Sequence, residues 1–251
     1  MTNGRARSFG AAAAMYQRYR PEYPDRIVEI VREYAETPVR TALELGAGTG
    51  KATSVFAREG ISVTASEPDQ GMLDELSRRL PDVATVHAPL EELPPLGPFD
   101  VVFAAAALHW TEPTGRWDRI AGLLSPGGVF ANFGGAPHVA DAALDEAVAA
   151  NQRHWPVDDA PAGPVELSDD GLHWPATQLV ADARFADVRE TVIERRLQLT
   201  RAEWIVYLST VSAYLVLSEE DRAAALAAIA DVLPDVVELR ADLTVQLARR
   251  V

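Results

Sequence analysis

Between residues 41 and 134 the chain alternates short apolar runs with segments of helix length, and this alternation restricts the fold more than any other feature. The pattern is typical of parallel strands joined by crossover helices. The expected strands span 41–46, 62–67, 84–88, 99–106 and 128–133, and the expected helices span 51–59, 70–80 and 116–124. Val101, Val102 and Phe103 are consecutive apolar residues, as a strand buried on both faces requires. The sequence therefore predicts an α/β domain.

The residues on either side of this region predict further elements. We expect helices at 24–34, 141–155 and 176–183, a strand at 187–199, two helices at 201–217 and 218–232, and a closing strand at 236–248. Ser218 and Asp221 are spaced as a helix cap, and Pro234 marks the end of the same helix. Proline and glycine residues between 156 and 164 predict a loop.

The first expected strand leads into a glycine-rich turn, in which Gly46, Gly48 and Gly50 follow each other at every second position. Glycine allows a positive φ and lets a ligand approach the backbone closely. Dinucleotide folds instead use G-x-G-x-x-G to hold a pyrophosphate, so this spacing favours a ligand without one. Glu44, just ahead of the turn, adds a negative charge that suits a cationic ligand. The alternative is a tight strand-to-helix connection with no ligand.

Glu67 lies at the end of the second expected strand, 17 residues beyond Gly50. A carboxylate at this place can accept hydrogen bonds from both hydroxyls of a ribose. The alternative is an ordinary helix cap before Pro68. The turn and Glu67 together predict a nucleoside site.

Composition limits the classes of function. The 251 residues carry 23 Lys and Arg against 37 Asp and Glu, a net charge of −14, which disfavours a nucleic-acid partner. The absence of Cys excludes thiolate catalysis and Cys-ligated zinc, and no His, Asp and Glu spacing suggests a metal site. No apolar run is long enough for an export signal or a membrane span. We expect a cytoplasmic protein that acts on a small molecule without a metal; its oligomeric state stays open.

The segments Leu43–Gly50, Glu67–Asp69, Leu90–Pro94, Phe99–Phe103 and Leu108–Trp110 resemble successive motifs of the class I S-adenosylmethionine-dependent methyltransferases. The similarity is greatest to the small-molecule branch, which includes trans-aconitate and ubiquinone-pathway methyltransferases. The resemblance implies a Rossmann-like, seven-stranded and mostly parallel sheet with helices on both faces, an antiparallel last strand and a small helical cap.

This resemblance also implies the organisation of the chain and its cofactor. We expect a single methyltransferase domain over 1–251, with a helical arm or lid at 1–40, a cofactor-binding core at 41–134, and substrate-cap insertions at 135–175 and 201–233. The cofactor would be S-adenosyl-L-methionine, with S-adenosyl-L-homocysteine as its product. The motifs and the arm assign to the cofactor site Tyr16, Tyr19, Arg20, Glu44, Gly46, Ala47, Gly48, Thr49, Gly50, Glu67, Pro68, Met72, Pro89, Leu90, Glu91, Ala104, Ala105 and His109.

Two segments depart from the family pattern. Pro89 stands where the family often has Asp or Ser to hold the adenine amino group, and proline has no side-chain donor or acceptor. Ala104, Ala105 and Ala106 stand where a polar residue often lies beside the methionine moiety. Backbone groups would then have to hold both parts of the cofactor.

His109 is the candidate for a general base, because it follows the fourth strand at the ligand-binding edge of the sheet. Its alternative role is to cap the loop through backbone hydrogen bonds. The candidate substrate residues are Tyr23, Trp110, His173, Trp174, Tyr207 and Tyr214. The His-Trp pairs at 154–155 and 173–174 could line a substrate pocket, and the alternative is that they form partly buried surface. For the arm with Arg20, the alternative is a packed terminal segment.

The sequence thus predicts methyl transfer from S-adenosyl-L-methionine to O, N or C of a small organic acceptor. One alternative is an NAD-dependent oxidoreductase, since an acid after the second strand also suits the NAD ribose. The other is a catalytically inactive cofactor-binding subunit, which Pro89 and the three alanines would allow.

Overall fold

A computed structural model describes residues 13–152 and 171–251, in which helices and strands alternate as expected. The helices are α1 (Ala13–Tyr19), α2 (Arg26–Tyr34), α3 (Lys51–Arg58), α4 (Gln70–Arg79), α5 (Arg116–Leu123), α6 (Ala142–Gln152), α7 (Ala176–Val180), α8 (Arg201–Ser209), α9 (Ser212–Leu215) and α10 (Glu219–Val232). The strands are β1 (Thr41–Leu45), β2 (Ser62–Ser66), β3 (Ala84–Val86), β4 (Phe99–Ala105), β5 (Leu124–Gly134), β6 (His138–Val139), β7 (Phe185–Ile193), β8 (Arg196–Thr200), β9 (Val236–Arg240) and β10 (Leu243–Arg250). Short 3₁₀ turns lie at Leu90–Glu92 and Leu108–Trp110.

The main sheet has seven strands in the order β3-β2-β1-β4-β5-β10-β7. The first five strands pair in parallel, whereas β10 runs antiparallel to both β5 and β7. The prediction of a seven-stranded, mostly parallel sheet with an antiparallel last strand is confirmed.

The sheet is buried on both faces, as consecutive apolar residues in β4 require. Phe103 packs with α2 and α3 on one face, where its ring stacks on Phe56 at a centroid distance of 4.1 Å. Val102 belongs to the second cluster, with Phe130 and residues of α5 and α7. The covering helices leave the carboxyl ends of the strands as the place for a ligand.

A second unit, called the cap here, covers that edge of the sheet. It contains a three-stranded sheet in the order β6-β9-β8 and helices α6, α8, α9 and α10, which share one apolar cluster around Trp204, Tyr214 and Ile229. The expected cap was helical and comprised 135–175 and 201–233; the structure adds β8 and β9, which lie outside those ranges. Residues 153–170, with the expected loop and the pair at 154–155, are outside the described residues.

Two long strands of the sequence prediction are wrong, because each divides between the two sheets. The expected strand at 187–199 breaks between β7 and β8, and the expected strand at 236–248 breaks between β9 and β10. Both breaks meet at one crossing, where Ala241 donates to the Arg195 carbonyl and Asp242 Oδ1 accepts from the Arg195 N–H at 2.9 Å. A residue-by-residue β pattern cannot reveal this change of partner.

The expected helix at 201–217 is also wrong, since α8 ends at Ser209 and α9 begins at Ser212. Thr210 stops α8 by donating its N–H and its hydroxyl to the Tyr207 carbonyl. The helix expected at 218–232 is confirmed, and Ser218 accepts from the Asp221 N–H as its cap. None of the helices described is long and apolar enough to cross a bilayer.

Candidate active site

A cavity of about 1450 Å³ lies between the carboxyl ends of the central strands and the cap. Its sheet side contains the ends of β1, β4 and β5, and its cap side contains parts of α6, α8 and α9. The predicted site residues that line it are Tyr16, Arg20, Gly46, Gly48, Glu67, Pro68, Met72, Pro89, Leu90, Glu91, Ala105, His109, Trp110, His173, Trp174, Tyr207 and Tyr214. Predicted cofactor residues and predicted substrate residues therefore line the same cavity.

The three glycines of the turn have different surroundings, although each has a positive φ. A Cβ at Gly46 would come within 2.6 Å of the Ala107 Cβ, and one at Gly50 within 2.9 Å of Leu76 Cγ. A Cβ at Gly48 would meet no atom within 4 Å. Gly46 and Gly50 thus serve close packing, and Gly48 leaves room at the cavity wall for a ligand.

Glu67 connects the ends of β1 and β2. Its Oε2 accepts from the Gly48 N–H at 2.7 Å and its Oε1 accepts from the Asp69 N–H at 2.8 Å. Burial raises the pKa of this carboxyl to about 7, while the two backbone donors oppose the rise. Each oxygen keeps a second lone pair, so the group can still accept from two hydroxyls in the cavity.

Glu44 does not reach the cavity. It is 1 % exposed, and its carboxyl group accepts a hydrogen bond from the Thr53 hydroxyl behind the turn. Burial raises its pKa to about 8, so the side chain is mostly uncharged at neutral pH. Glu44 therefore does not provide the expected negative charge beside a cationic ligand in the cavity.

Other predicted residues also lie outside the cavity lining. Thr49 donates its hydroxyl to Gln17 Oε1 at 2.6 Å, and Tyr23 packs edge-on against Phe133 at 5.3 Å. The predicted cofactor or substrate residues placed outside the lining are Tyr19, Tyr23, Glu44, Ala47, Thr49, Gly50 and Ala104.

His109 lies in the 3₁₀ turn after β4, with its ring 4.6 Å from the ring of Trp110. Burial and the nearby Arg116 lower the pKa of His109 to about 4. The imidazole is therefore neutral at pH 7 and has little affinity for a proton. That property suits a hydrogen-bond acceptor better than a general base.

Arg20 joins the N-terminal arm to the cap at the cavity wall. Its guanidinium donates to Thr210 Oγ1 at 3.0 Å, to the Tyr207 hydroxyl at 2.9 Å and to the Thr210 carbonyl at 3.1 Å. It also lies over the rings of Tyr16 and Tyr207, at 5.1 and 4.5 Å. The arm thus borders one side of the cavity, and Arg20 is bonded to the cap.

The sequence prediction missed several cavity residues. Ala106 follows β4 with a φ of +51°, a conformation that a non-glycine residue seldom adopts. Asn132 and Gln246 meet side by side across β5 and β10, and Gln246 Oε1 accepts from Asn132 Nδ2 at 2.8 Å. Polar residues within two otherwise apolar strands, the half-buried Asn132 and the buried Gln246, were the available signal, but using it required knowing that β10 pairs with β5.

Comparisons with known proteins agree with this geometry. Residues 43–132 match the methyltransferase domain family. The chain is 38 % identical over 122 residues to an uncharacterized methyltransferase of Mycobacterium bovis, which covers 48 % of this chain and 49 % of that protein. It is 31 % identical over 137 residues to a trans-aconitate 2-methyltransferase of Rhizobium leguminosarum, and the match covers 51 % of this chain and 54 % of that protein. The chain thus spans about half the length of the curated relatives that it matches.

Solved structures extend the similarity of fold to most of the chain. A candidate type II methyltransferase from Anaeromyxobacter dehalogenans is 26 % identical, with a TM-score of 0.67 over 92 % of this chain and 98 % of that one. A phosphoethanolamine methyltransferase of Haemonchus contortus, solved with S-adenosylhomocysteine, is 14 % identical and has a TM-score of 0.55. The match covers 96 % of this chain and 57 % of that one.

The sheet order and the glycine turn after β1 define an α/β protein of the Rossmann-like type. Residues 43–132 match the methyltransferase domain family, and the chain is similar over most of its length to a solved structure of a candidate methyltransferase. Within residues 13–152 and 171–251, no three His, Asp or Glu side chains are grouped to hold a metal ion.

Proposed function

We propose that this protein transfers a methyl group from S-adenosyl-L-methionine to O, N or C of a small organic acceptor, without a metal. The observation that carries the proposal is the continuity of one cavity from Gly48 and Glu67 to the aromatic wall of the cap. A cofactor held at the sheet edge would have its acceptor beside it in the same space.

The residues present fit the nucleoside part of this cofactor. The Glu67 carboxylate would hold the two ribose hydroxyls, and the open space at Gly48 admits the ligand against the backbone. Met72 and Leu90 line the same cavity, and we expect Met72 and the Leu90 backbone to contact the adenine. Pro89 offers no side-chain hydrogen bond there, so packing and backbone groups would recognise the base.

The cofactor supplies an activated methyl group on a sulfonium centre. The chain would contribute orientation, because alignment of two reactants removes about 7 to 11 kcal/mol of the barrier. The rings of Tyr16 and Trp110 line the cavity and can stabilise a nearby cation, each by about 0.5 to 2 kcal/mol. His109 can accept a hydrogen bond from the acceptor, which is a more modest role than the base that the sequence suggested.

The test compares ligands and measures transfer. S-adenosylhomocysteine should raise the melting temperature and NADH should not, because only a ligand of the native state stabilises it. Incubation with methyl-labelled S-adenosylmethionine and a panel of phenols, amines and carboxylic acids should then yield labelled product. Stabilisation by NADH alone would favour the oxidoreductase. Binding of S-adenosylhomocysteine with no labelled product from any acceptor would favour the inactive subunit.

A further inference from the structure

A row of polar side chains crosses the main sheet next to the cavity. Asn132 on β5, Gln246 on β10 and Glu190 on β7 occupy facing register positions, and His173 precedes α7 beside Glu190. The row is hydrogen-bonded throughout: Asn132 Nδ2 to Gln246 Oε1 at 2.8 Å, Gln246 Nε2 to Glu190 Oε2 at 2.8 Å, and His173 Nδ1 to Glu190 Oε1 at 2.7 Å. Such a row is unusual in an apolar sheet and calls for a role.

Backbone contacts fix the direction of every hydrogen bond in this row. Gln246 is 2 % exposed, and its Nε2 also lies 3.2 and 3.1 Å from the carbonyl oxygens of His173 and Trp174. Carbonyl oxygens only accept, so the Gln246 amide has one possible orientation. Its Nε2 therefore donates to Glu190, as does the His173 backbone N–H at 3.1 Å.

The tautomer of His173 follows from this orientation. A carboxylate that already accepts from two N–H groups on Oε2 also accepts on Oε1, so His173 Nδ1 carries a hydrogen. In the neutral ring, Nε2 then holds the lone pair. The ring lines the cavity, and its side chain is 59 % exposed. A carboxylate that orients a histidine in this way also stabilises the imidazolium that forms when Nε2 takes a proton.

The charges of the cavity indicate what kind of acceptor enters it. Among the described residues that line it, Arg20 is the only Lys or Arg, and its guanidinium already donates to Tyr207 and Thr210. Glu67, Glu91 and Asp145 add negative charge, and Trp174, Trp204, Tyr207 and Tyr214 add aromatic surface. An acidic acceptor would lack a partner here, whereas an uncharged aromatic one fits.

We infer that His173 Nε2 removes the proton from an uncharged aromatic hydroxyl acceptor, with Glu190 and Gln246 as positioning residues. This inference rests on the proposed methyl transfer. As the acceptor oxygen forms its bond to the methyl carbon, the C–S bond breaks and leaves its electron pair on sulfur. The O–H proton passes to His173 Nε2, and the imidazolium returns it to water after the product leaves.

The first test reads the tautomer without turnover. Nitrogen-15 NMR of histidine-labelled protein at pH 8.5 should give one Nδ1–H tautomer for His173, assigned by the signals that His173→Ala removes. Glu190→Gln should mix the tautomers, because a Gln amide offers a donor where the carboxylate offers only acceptors. Glu194→Gln, an exposed acid just after β7, is the matched control and should leave the spectrum unchanged. An Nε2–H tautomer in the unmodified protein would overturn the inference.

The second test uses 1-naphthol and catechol as hydroxyl probes and trans-aconitate as a carboxylate probe that needs no base. We expect transfer to a phenol, a loss of at least about 100-fold in kcat in His173→Ala, and partial restoration by added imidazole. Glu190→Gln should lower kcat about tenfold at an unchanged KM for S-adenosylmethionine. The dissociation constant for S-adenosylhomocysteine should stay within twofold in both variants.

The outcomes separate this inference from the function on which it rests. If the unmodified protein does not bind S-adenosylhomocysteine, the proposed function itself is wrong. If it binds but methylates neither phenol, with or without transfer to trans-aconitate, the role of His173 is wrong. Phenol methylation that His173→Ala leaves intact would contradict the role of His173 in the same way.

Discussion

Two carboxyl groups flank the glycine turn, and their surroundings give them different roles. Glu67 accepts from two backbone N–H groups and borders the cavity, whereas Glu44 has the Thr53 hydroxyl as a partner and lies in the core. Desolvation raises both pKa values, and backbone donors oppose the rise in both, from Gly48 and Asp69 at Glu67 and from Thr53 at Glu44. Glu67 is thus prepared for ligand hydroxyls, and Glu44 supports the turn as a mostly neutral acid.

The raised pKa of Glu44 predicts a pH-dependent contribution to stability. The pKa is about 8 in the folded protein and 4.5 as the ordinary value, so between these values the native state binds more protons than the unfolded state. The free energy of unfolding therefore falls as the pH rises, by up to about 1.4 kcal/mol per pH unit for a full proton. Glu44→Gln removes this contribution.

Urea unfolding at pH 5, 6.5 and 8 measures the effect. The stability of the unmodified protein relative to Glu44→Gln should decrease by more than about 1 kcal/mol from pH 5 to pH 8. Glu67 titrates in both proteins, and its charge adds to the rise in the pKa of Glu44, so the difference includes this coupling. A difference that stays constant across the three pH values would show that Glu44 is ionised throughout.

At the scale of single residues, the spacing of the three glycines and of the acid after the second strand was sufficient to find the turn and Glu67, because both depend on local sequence. It could not tell that Gly48 alone of the three has room for a Cβ, since Gly46 and Gly50 are restricted by Ala107 and Leu76, which are distant in sequence. It also could not distinguish the burial of Glu44 from that of Glu67. Such differences arise from packing between elements.

At the scale of elements, the N-terminal arm closes the cavity through the end of a cap helix. Arg20 donates to the carbonyl of Thr210, just beyond α8, where a cation also complements the helix dipole. The arm contacts the glycine turn as well, because Lys51 Nζ donates to Glu22 at 2.7 Å. The sequence suggested a lid but could not predict that α8 ends at Thr210, since the arm contributes to that end.

We expect Arg20→Lys to loosen the arm, because an ammonium cannot reproduce the fork that reaches Tyr207 and both oxygens of Thr210. Amide hydrogens of α1 should exchange at least about tenfold faster, the equivalent of roughly 1.4 kcal/mol. Hydrogen exchange with mass spectrometry measures this directly. Arg18→Lys is the matched control, since Arg18 is exposed and lies over the ring of Tyr19 at 5.3 Å. Equal exchange in both variants would contradict the closing role of Arg20.

At the scale of the whole molecule, the sequence predicts the α/β core better than the cap. The core follows from β–α alternation, and five of its strands lie where periodicity placed them, with small changes at their ends. The cap depends on chain segments that leave the main sheet at Ile193 and Arg240 and pair elsewhere. The cavity exists only because these two parts meet, so its size and its polar row could not be derived from local patterns.

The central claim is that the sheet edge at Gly48 and Glu67 binds the S-adenosyl group, and calorimetric titration with S-adenosylhomocysteine at pH 8 tests it most directly. At that pH Glu67, with a pKa of about 7, is mostly ionised. We predict 1:1 binding to the unmodified protein and a dissociation constant at least about tenfold higher for Glu67→Ala, since hydrogen bonds to a charged group are worth about 1.5 to 3 kcal/mol each. Asp74→Ala, at an exposed acid of α4, should bind like the unmodified protein. No binding to the unmodified protein, or equal affinity in Glu67→Ala, would contradict the claim.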